Sequence, residues 1–167
     1  MKTLQNTIAT VALATLLLFS SNVFAQTSAS SSASVSIYLA KGLSITDVDA
    51  SIDFLEYVAA GQAGSASVAV GSSAGANFKV SGEASKDVTV TYSNATLTNG
   101  TDNLTFVPDV DETGTSSTYS GASNLLSGNT ASLNSGDLYL WIGGDITIPN
   151  NVSEGTYTGT FNFTVAY

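Results

Sequence analysis

Thirteen acids, a single tryptophan and many serines and threonines are what this 167-residue chain offers for chemistry; it has no histidine, no cysteine and no arginine. Without imidazole or thiol, a serine nucleophile lacks its usual base and cysteine catalysis is impossible. Zinc loses its common ligands. Paired carboxylates can hydrolyse glycosides. The acids here, however, fall mainly in turn-like stretches, at Asp47, Asp49, Asp109, Asp111 and Glu112. Asp47-Val48-Asp49 and Asp109-Val110-Asp111-Glu112 resemble fragments of calcium loops. Neither carries the full ligand series with its glycine and closing glutamate, so both read as solvated turn acids. Trp141, in Tyr139-Leu140-Trp141-Ile142, is the one candidate ligand contact, as a platform for a sugar ring; packing in the core of a central strand is the favoured reading. The sequence therefore reads as a non-enzyme, with no catalytic residue, no metal and no cofactor.

Charge and the ends of the chain narrow the class. Met1-Lys2, the apolar run from Ile8 to Phe19 and Val23-Phe24-Ala25 read as a secretory signal peptide over residues 1–25. The run is too short and too early for a membrane span, and no integral membrane anchor is expected after it. Residues 26–167 hold thirteen acids against three lysines, a formal charge of −10. Such a surface lacks the cations that neutralise phosphates, so a nucleic-acid partner is not expected. With no disulfide to draw on, stability must come from packing and strand pairing.

The elements that would position any site are strands. No convincing helical stripe follows the signal segment; short alternating runs between Gly, Asn, Ser and Asp turns predict an all-β sandwich or barrel. Leu43-Ser44-Ile45 and Ile52-Asp53-Phe54 read as two strands around a turn at 47–49. Val88-Val90-Tyr92 reads as a strong strand, and Leu97 runs into the hairpin turn Asn99-Gly100. Leu138-Leu140-Ile142 alternates with Tyr139 and Trp141. Residues 109–135 read as a long Ser/Thr/Gly-rich stretch with one weak strand near 122–126. Tyr157, Gly159, Phe161, Phe163, Val165 and Tyr167 give the cleanest alternation, running to the last residue. Termini fray unless something holds them. A lead-in at 26–40 begins as Ser and Ala and ends as an alternating segment with Ala33, Val35, Ile37 and Leu39 on one face; the domain proper is expected over 41–167.

Gly143-Gly144-Asp145-Ile146-Thr147-Ile148-Pro149, followed by Glu154-Gly155-Thr156-Tyr157-Thr158-Gly159-Thr160-Phe161, is similar to the C-terminal signature of a bacterial secreted family, domain-of-unknown-function family 4402. Phe78-Lys79-Val80-Ser81-Gly82 and Leu97-Thr98-Asn99-Gly100 also resemble it, and residues 43–54 resemble its opening. More distantly, the layout resembles spore coat protein U-type pilins, the subunits of archaic chaperone–usher fimbriae. This chain departs from those pilins in having no cysteine, and has Leu55-Glu56-Tyr57 where both families usually place glycine.

The resemblance implies an immunoglobulin-like antiparallel β-sandwich that lacks one strand. It implies a groove beside the C-terminal strand, with Phe161, Phe163, Val165 and Tyr167 as the acceptor edge. The donor would be a neighbour's Ala33, Val35, Ile37 and Leu39. Backbone pairing would give affinity and alternate side chains would give register. Burying four such side chains is worth roughly 4–8 kcal/mol, partly offset by ordering the donor. The implied partners are copies of the chain or related subunits, a periplasmic chaperone and an usher. The implied route is export through the periplasm to a surface fibre or the extracellular space. Alternation is the same for a donated strand and for a self-supplied first strand, so the residues leave both open. A monomeric surface adhesin or glycan- or protein-binding module is the alternative function. A small outer-membrane barrel is a third reading, against which the strands look short.

Overall fold

The computed structural model describes residues 32–54 and 61–167. The expected signal segment at 1–25, the expected lead-in as far as residue 31 and Leu55-Glu56-Tyr57 lie outside the described residues. The chain divides into a unit over Met1–Tyr38 and a compact unit over Leu39–Tyr167. Of the first, residues 32–38 carry no regular secondary structure and are exposed, with Val35 at 94% and Ile37 at 83%.

The second unit is an all-β, antiparallel, sandwich-like fold. Its strands are β1 (Ser44–Asp49), β2 (Gly64–Val68), β3 (Ala76–Ser81), β4 (Asp87–Tyr92), β5 (Ala95–Thr98), β6 (Asn103–Glu112), β7 (Ser123–Asn124), β8 (Thr130–Ser132), β9 (Asp137–Ile148) and β10 (Phe163–Ala166). The larger sheet runs β1-β3-β9-β6-β5, with β2 also on β9 and β7 also on β6. The smaller sheet runs β10-β4-β8. Among the described residues no helix is long and apolar enough to cross a membrane, which says nothing of strands.

β9 organises the larger sheet. Its first half pairs with β3 and its second half with β2, while β6 lies along its other edge. The change of partner falls at Gly143-Gly144. A Cβ on Gly143 would stand 2.3 Å from the Val68 carbonyl oxygen, so only glycine lets β2 approach here. Period-two alternation sends Leu138, Leu140 and Ile142 inward, where they are buried. With Val80, Val88, Val90, Leu125 and Leu133, the two leucines form the main core between the sheets. Pairing the hairpin β5–β6 needs the turn expected at Asn99-Gly100. Asn99 Oδ1 accepts from the Thr101 and Asp102 amides at 2.9 and 2.8 Å, and Gly100 takes φ +91°.

Three sequence expectations change. The acids Asp47 and Asp49 lie within β1, where the register shifts between them, so the anticipated turn is an irregularity in one strand. Residues 52–54 lie outside the strands, although the Asp53 amide donates to the Ala74 carbonyl at 2.9 Å. Asp109, Asp111 and Glu112 sit on β6 rather than in a turn. Local composition favours turns at Asp and Asn, but pairing with β9 continues the ladder through Glu112.

Candidate functional site: an apolar cleft beside the terminal strand

The terminal segment keeps its alternation but not one continuous ladder. Tyr157, Phe161, Phe163 and Val165 are half-buried, while Thr158, Thr160, Asn162, Thr164 and Ala166 are exposed. Thr158 exchanges two backbone hydrogen bonds with Thr98 of β5, at 2.8 and 3.0 Å. Five residues later Phe163 pairs with Tyr92 of β4. The segment thus crosses from the larger sheet to the smaller one, beside the β4–β5 chain that makes the same crossing. Gly159 lies at the tightest point. A Cβ there would stand 2.2 Å from the Thr96 carbonyl oxygen.

The crossing leaves an opening. A cleft of about 1100 Å³ is lined by the inner face of the larger sheet, by residues 50–54 and by residues 152–161. Its walls are mixed: Ile52, Phe54, Leu97, Phe106, Ile148 and Phe161 supply apolar surface, and Asp53, Glu154, Thr156 and Thr160 supply polar surface. Beside it, β10 pairs with β4 on one side and with no other strand among the described residues. An unpaired edge presents a row of free backbone donors and acceptors.

The aromatic residues converge on this opening. All five phenylalanines of residues 26–167 belong to one chain of ring contacts. Phe54 meets Phe106 at 5.9 Å, Phe106 meets Phe161 at 5.9 Å, Phe161 meets Phe163 at 6.2 Å and Phe163 meets Phe78 at 5.0 Å. Tyr92 joins at Phe161. Only Phe106 is buried; the other four are half-buried. Of the expected acceptor residues only Phe161 lines the cleft, and the sequence did not mark Ile52, Phe54, Phe78, Phe106 and Tyr157 as cleft residues. The signal available was the small number of phenylalanines in an otherwise Thr/Ser/Val chain.

Polar contacts hold the mouth. Asp102 accepts from the Ser153 amide at 2.7 Å and from its hydroxyl at 2.6 Å. Those two bonds, the hydroxyl's first, lower the Asp102 pKa. The Tyr157 hydroxyl donates to the Ser153 carbonyl at 2.8 Å. Burial, and then the Asp102 charge, raise the Tyr157 pKa.

The other acceptor candidates divide between core and surface. Phe163 and Val165 face inward from β10 and pack against the main core. Tyr167 is 53% exposed, and its hydroxyl is doubly engaged: it accepts from the Glu83 amide and donates to the Lys41 carbonyl, both at 2.7 Å. That is what holds down the last residue of the chain. Among the donor candidates, Ala33, Val35 and Ile37 lie in the first unit, and Leu39 opens the second at 81% exposure.

Trp141 is not in the core. It lies on the face of β9 opposite Leu140, half-buried. Its Nε1 donates to Thr113 Oγ1 at 2.9 Å, and its ring meets Tyr119 edge to face at 5.6 Å. Tyr119 in turn donates its hydroxyl to Asp111, and that hydrogen bond, with burial next, pushes the phenol up to about 12. The loop after β6 therefore packs across the indole. Asn124 Nδ2 donates to Asp109 Oδ1 at 2.7 Å, so this acid too is engaged locally.

A family model described as a domain of unknown function, DUF4402, matches residues 56–167. The match takes in Phe78–Gly82, Leu97–Gly100 and the whole C-terminal signature, and begins after the stretch 43–54. No curated protein matches the chain.

Proposed function

We propose that this chain, which belongs to the domain-of-unknown-function family DUF4402, is an exported structural subunit that assembles by β-strand donation. In this reading the segment 26–40 of one copy seats in the cleft of the next and pairs with the free edge of β10. The observation that carries it is the incompletely covered aromatic chain: three half-buried phenylalanines, Phe54, Phe78 and Phe161, line a cleft of about 1100 Å³, and the strand that follows Phe161 has an edge with no partner among the described residues. Small-molecule pockets run to roughly 300–1,000 Å³, and a cleft of this volume with Ile52, Phe54, Leu97, Phe106 and Phe161 in its walls suits an added strand with alternate apolar side chains. Val35, Ile37 and Leu39 supply such side chains and are exposed. An exposed apolar row and an incompletely covered apolar cleft in one chain are complementary surfaces.

The reading needs no catalytic group, metal or cofactor. Its partners are copies of the chain or related subunits. A periplasmic chaperone that holds the cleft before assembly, and an usher, belong to the pilin-like form of the proposal, which rests on resemblance. The destination is a surface fibre or the extracellular space.

The test compares residues 26–167 with residues 40–167, each with and without a synthetic peptide of residues 28–40, by size-exclusion chromatography with light scattering. Strand donation predicts oligomers of the longer form. It also predicts a shorter form that is marginally stable alone and stabilised by the peptide. A longer form that stays monomeric at high concentration and ignores added peptide refutes donation, and favours a monomeric surface-binding module instead.

A further inference from the structure

We propose that the Lys41–Gly42 peptide bond is a processing site for a lysine-directed endoprotease, and that Tyr167 is the latch that gates it. The biological consequence rests on the strand-donation reading; the bond's protection does not.

Lys41 is the only basic residue between 26 and 78. It stands at the start of the compact unit, outside every strand, and both it and Gly42 are exposed. A Cβ built on Gly42 would meet nothing within 4 Å, so the leaving side of the bond is open. A protease must hold the scissile carbonyl with its own oxyanion donors. Here that carbonyl is already taken: Lys41 O accepts from the Tyr167 hydroxyl at 2.7 Å. The Lys41 amide donates to Glu83 Oε2 at 2.9 Å, and the Glu83 amide donates to the Tyr167 oxygen at 2.7 Å. These three bonds form a closed ring joining the base of the extension, the turn after β3 and the last residue of the chain. Leu43, on the far side, packs against the main core. Opening the ring is the step that would admit a protease.

The other two lysines of residues 26–167 are placed differently. Lys79 lies on β3, between β1 and β9, and pairs with Asp137 at 3.0 Å. The Lys86 carbonyl accepts from the Leu133 amide at 2.8 Å, at the edge of the core. Cutting after Lys79 requires β3 to leave both β1 and β9. Lys86 is exposed in the turn before β4, and cutting there requires the Lys86–Leu133 end of the β4–β8 pairing to open.

In the cleavage, water adds to the Lys41 carbonyl carbon and the C–N bond to Gly42 breaks. Lys41 keeps a carboxylate and Gly42 leaves as an amine. The released piece carries Ala33, Val35, Ile37 and Leu39. The remaining chain keeps the cleft and the β10 edge, so it accepts a strand but cannot donate one. Processing would convert an elongating subunit into a terminating one.

The test is limited trypsin digestion of residues 26–167 at a concentration where the chain is monomeric, with fragments followed by mass spectrometry. Monomeric digestion makes the result independent of whether donation occurs. The first cut is expected after Lys41. Tyr167→Phe removes both phenol hydrogen bonds, and at about 0.5–1.5 kcal/mol each they amount to about 5- to 150-fold in the open population that a protease samples. Lys41 cleavage should therefore accelerate about 30-fold, with Lys79 and Lys86 cleavage unchanged. No acceleration overturns the proposal. Equal acceleration at all three lysines also overturns it, because the phenol would then stabilise the whole fold rather than gate one bond.

Discussion

Phe161→Ala separates a cleft that receives a strand from a cleft that is merely present. Phe161 sits at the centre of the ring chain, touching Tyr92, Phe106 and Phe163, and is half-buried. Removing a fully buried phenylalanine costs about 3–5 kcal/mol, so a half-covered ring should cost about 2 kcal/mol in the empty subunit. If a donor strand lies over it, the ring becomes fully covered and the cost rises toward the full value. The difference, about 2 kcal/mol, weakens donor binding by roughly 30-fold. Titration calorimetry of the peptide 28–40 into residues 40–167 reads this directly. Leu126→Ala is the control, since Leu126 is 61% exposed on the loop after β7 and should leave peptide affinity unchanged. The reasoning is refuted if Phe161→Ala lowers the thermal midpoint but leaves peptide affinity unchanged. In that case the ring would be as covered without the donor as with it.

Three further outcomes follow from the geometry. Gly159→Ala places a Cβ 2.2 Å from the Thr96 carbonyl and should cost about 1–3 kcal/mol by forcing the crossing segment outward; denaturant unfolding measures it, and a wild-type midpoint would show that the segment moves freely. The Tyr119 phenol, raised to about 12 by its bond to Asp111, should ionise later than an ordinary tyrosine. Its contribution is present below the unfolded value near 10 and lost as pH rises through about 12; tyrosinate absorbance of wild type against Tyr119→Phe isolates it. Asp102, whose pKa the Ser153 bonds lower, stabilises the cleft mouth above its unfolded value near 3.8 and loses that effect as pH falls through the lower folded value. The protection factor of the Ser153 amide, its exchange rate relative to the unstructured rate at the same pH, should fall on acidification, and Asp102→Asn should remove that change.

Much of the fold was legible in the sequence because strand patterning is local. The alternations at 88–92, 138–142 and 161–165 gave the correct inward faces, and Asn99-Gly100 marked its turn through side-chain chemistry that needs no distant partner. The errors lie where pairing decided. Asp109 and Asp111 resemble turn residues, yet β9 carries them into a ladder. Trp141 resembles a core residue by size, but alternation with Leu140 and Ile142 turns it outward, and the loop carrying Tyr119 then covers it.

What the sequence determined alone was the class: an acidic all-β chain without imidazole or thiol, ending in an alternating strand. What only the tertiary structure decided was where that strand runs. Its period says which face is buried but not which neighbour it pairs with. The close approach at Gly159 and the change of sheet between Thr158 and Phe163 create the cleft. The hold on Tyr167 comes from Lys41, 126 residues away along the chain. A hydrogen bond between positions so far apart leaves no periodic trace, because it depends on how the sheets stack and not on the spacing of residues.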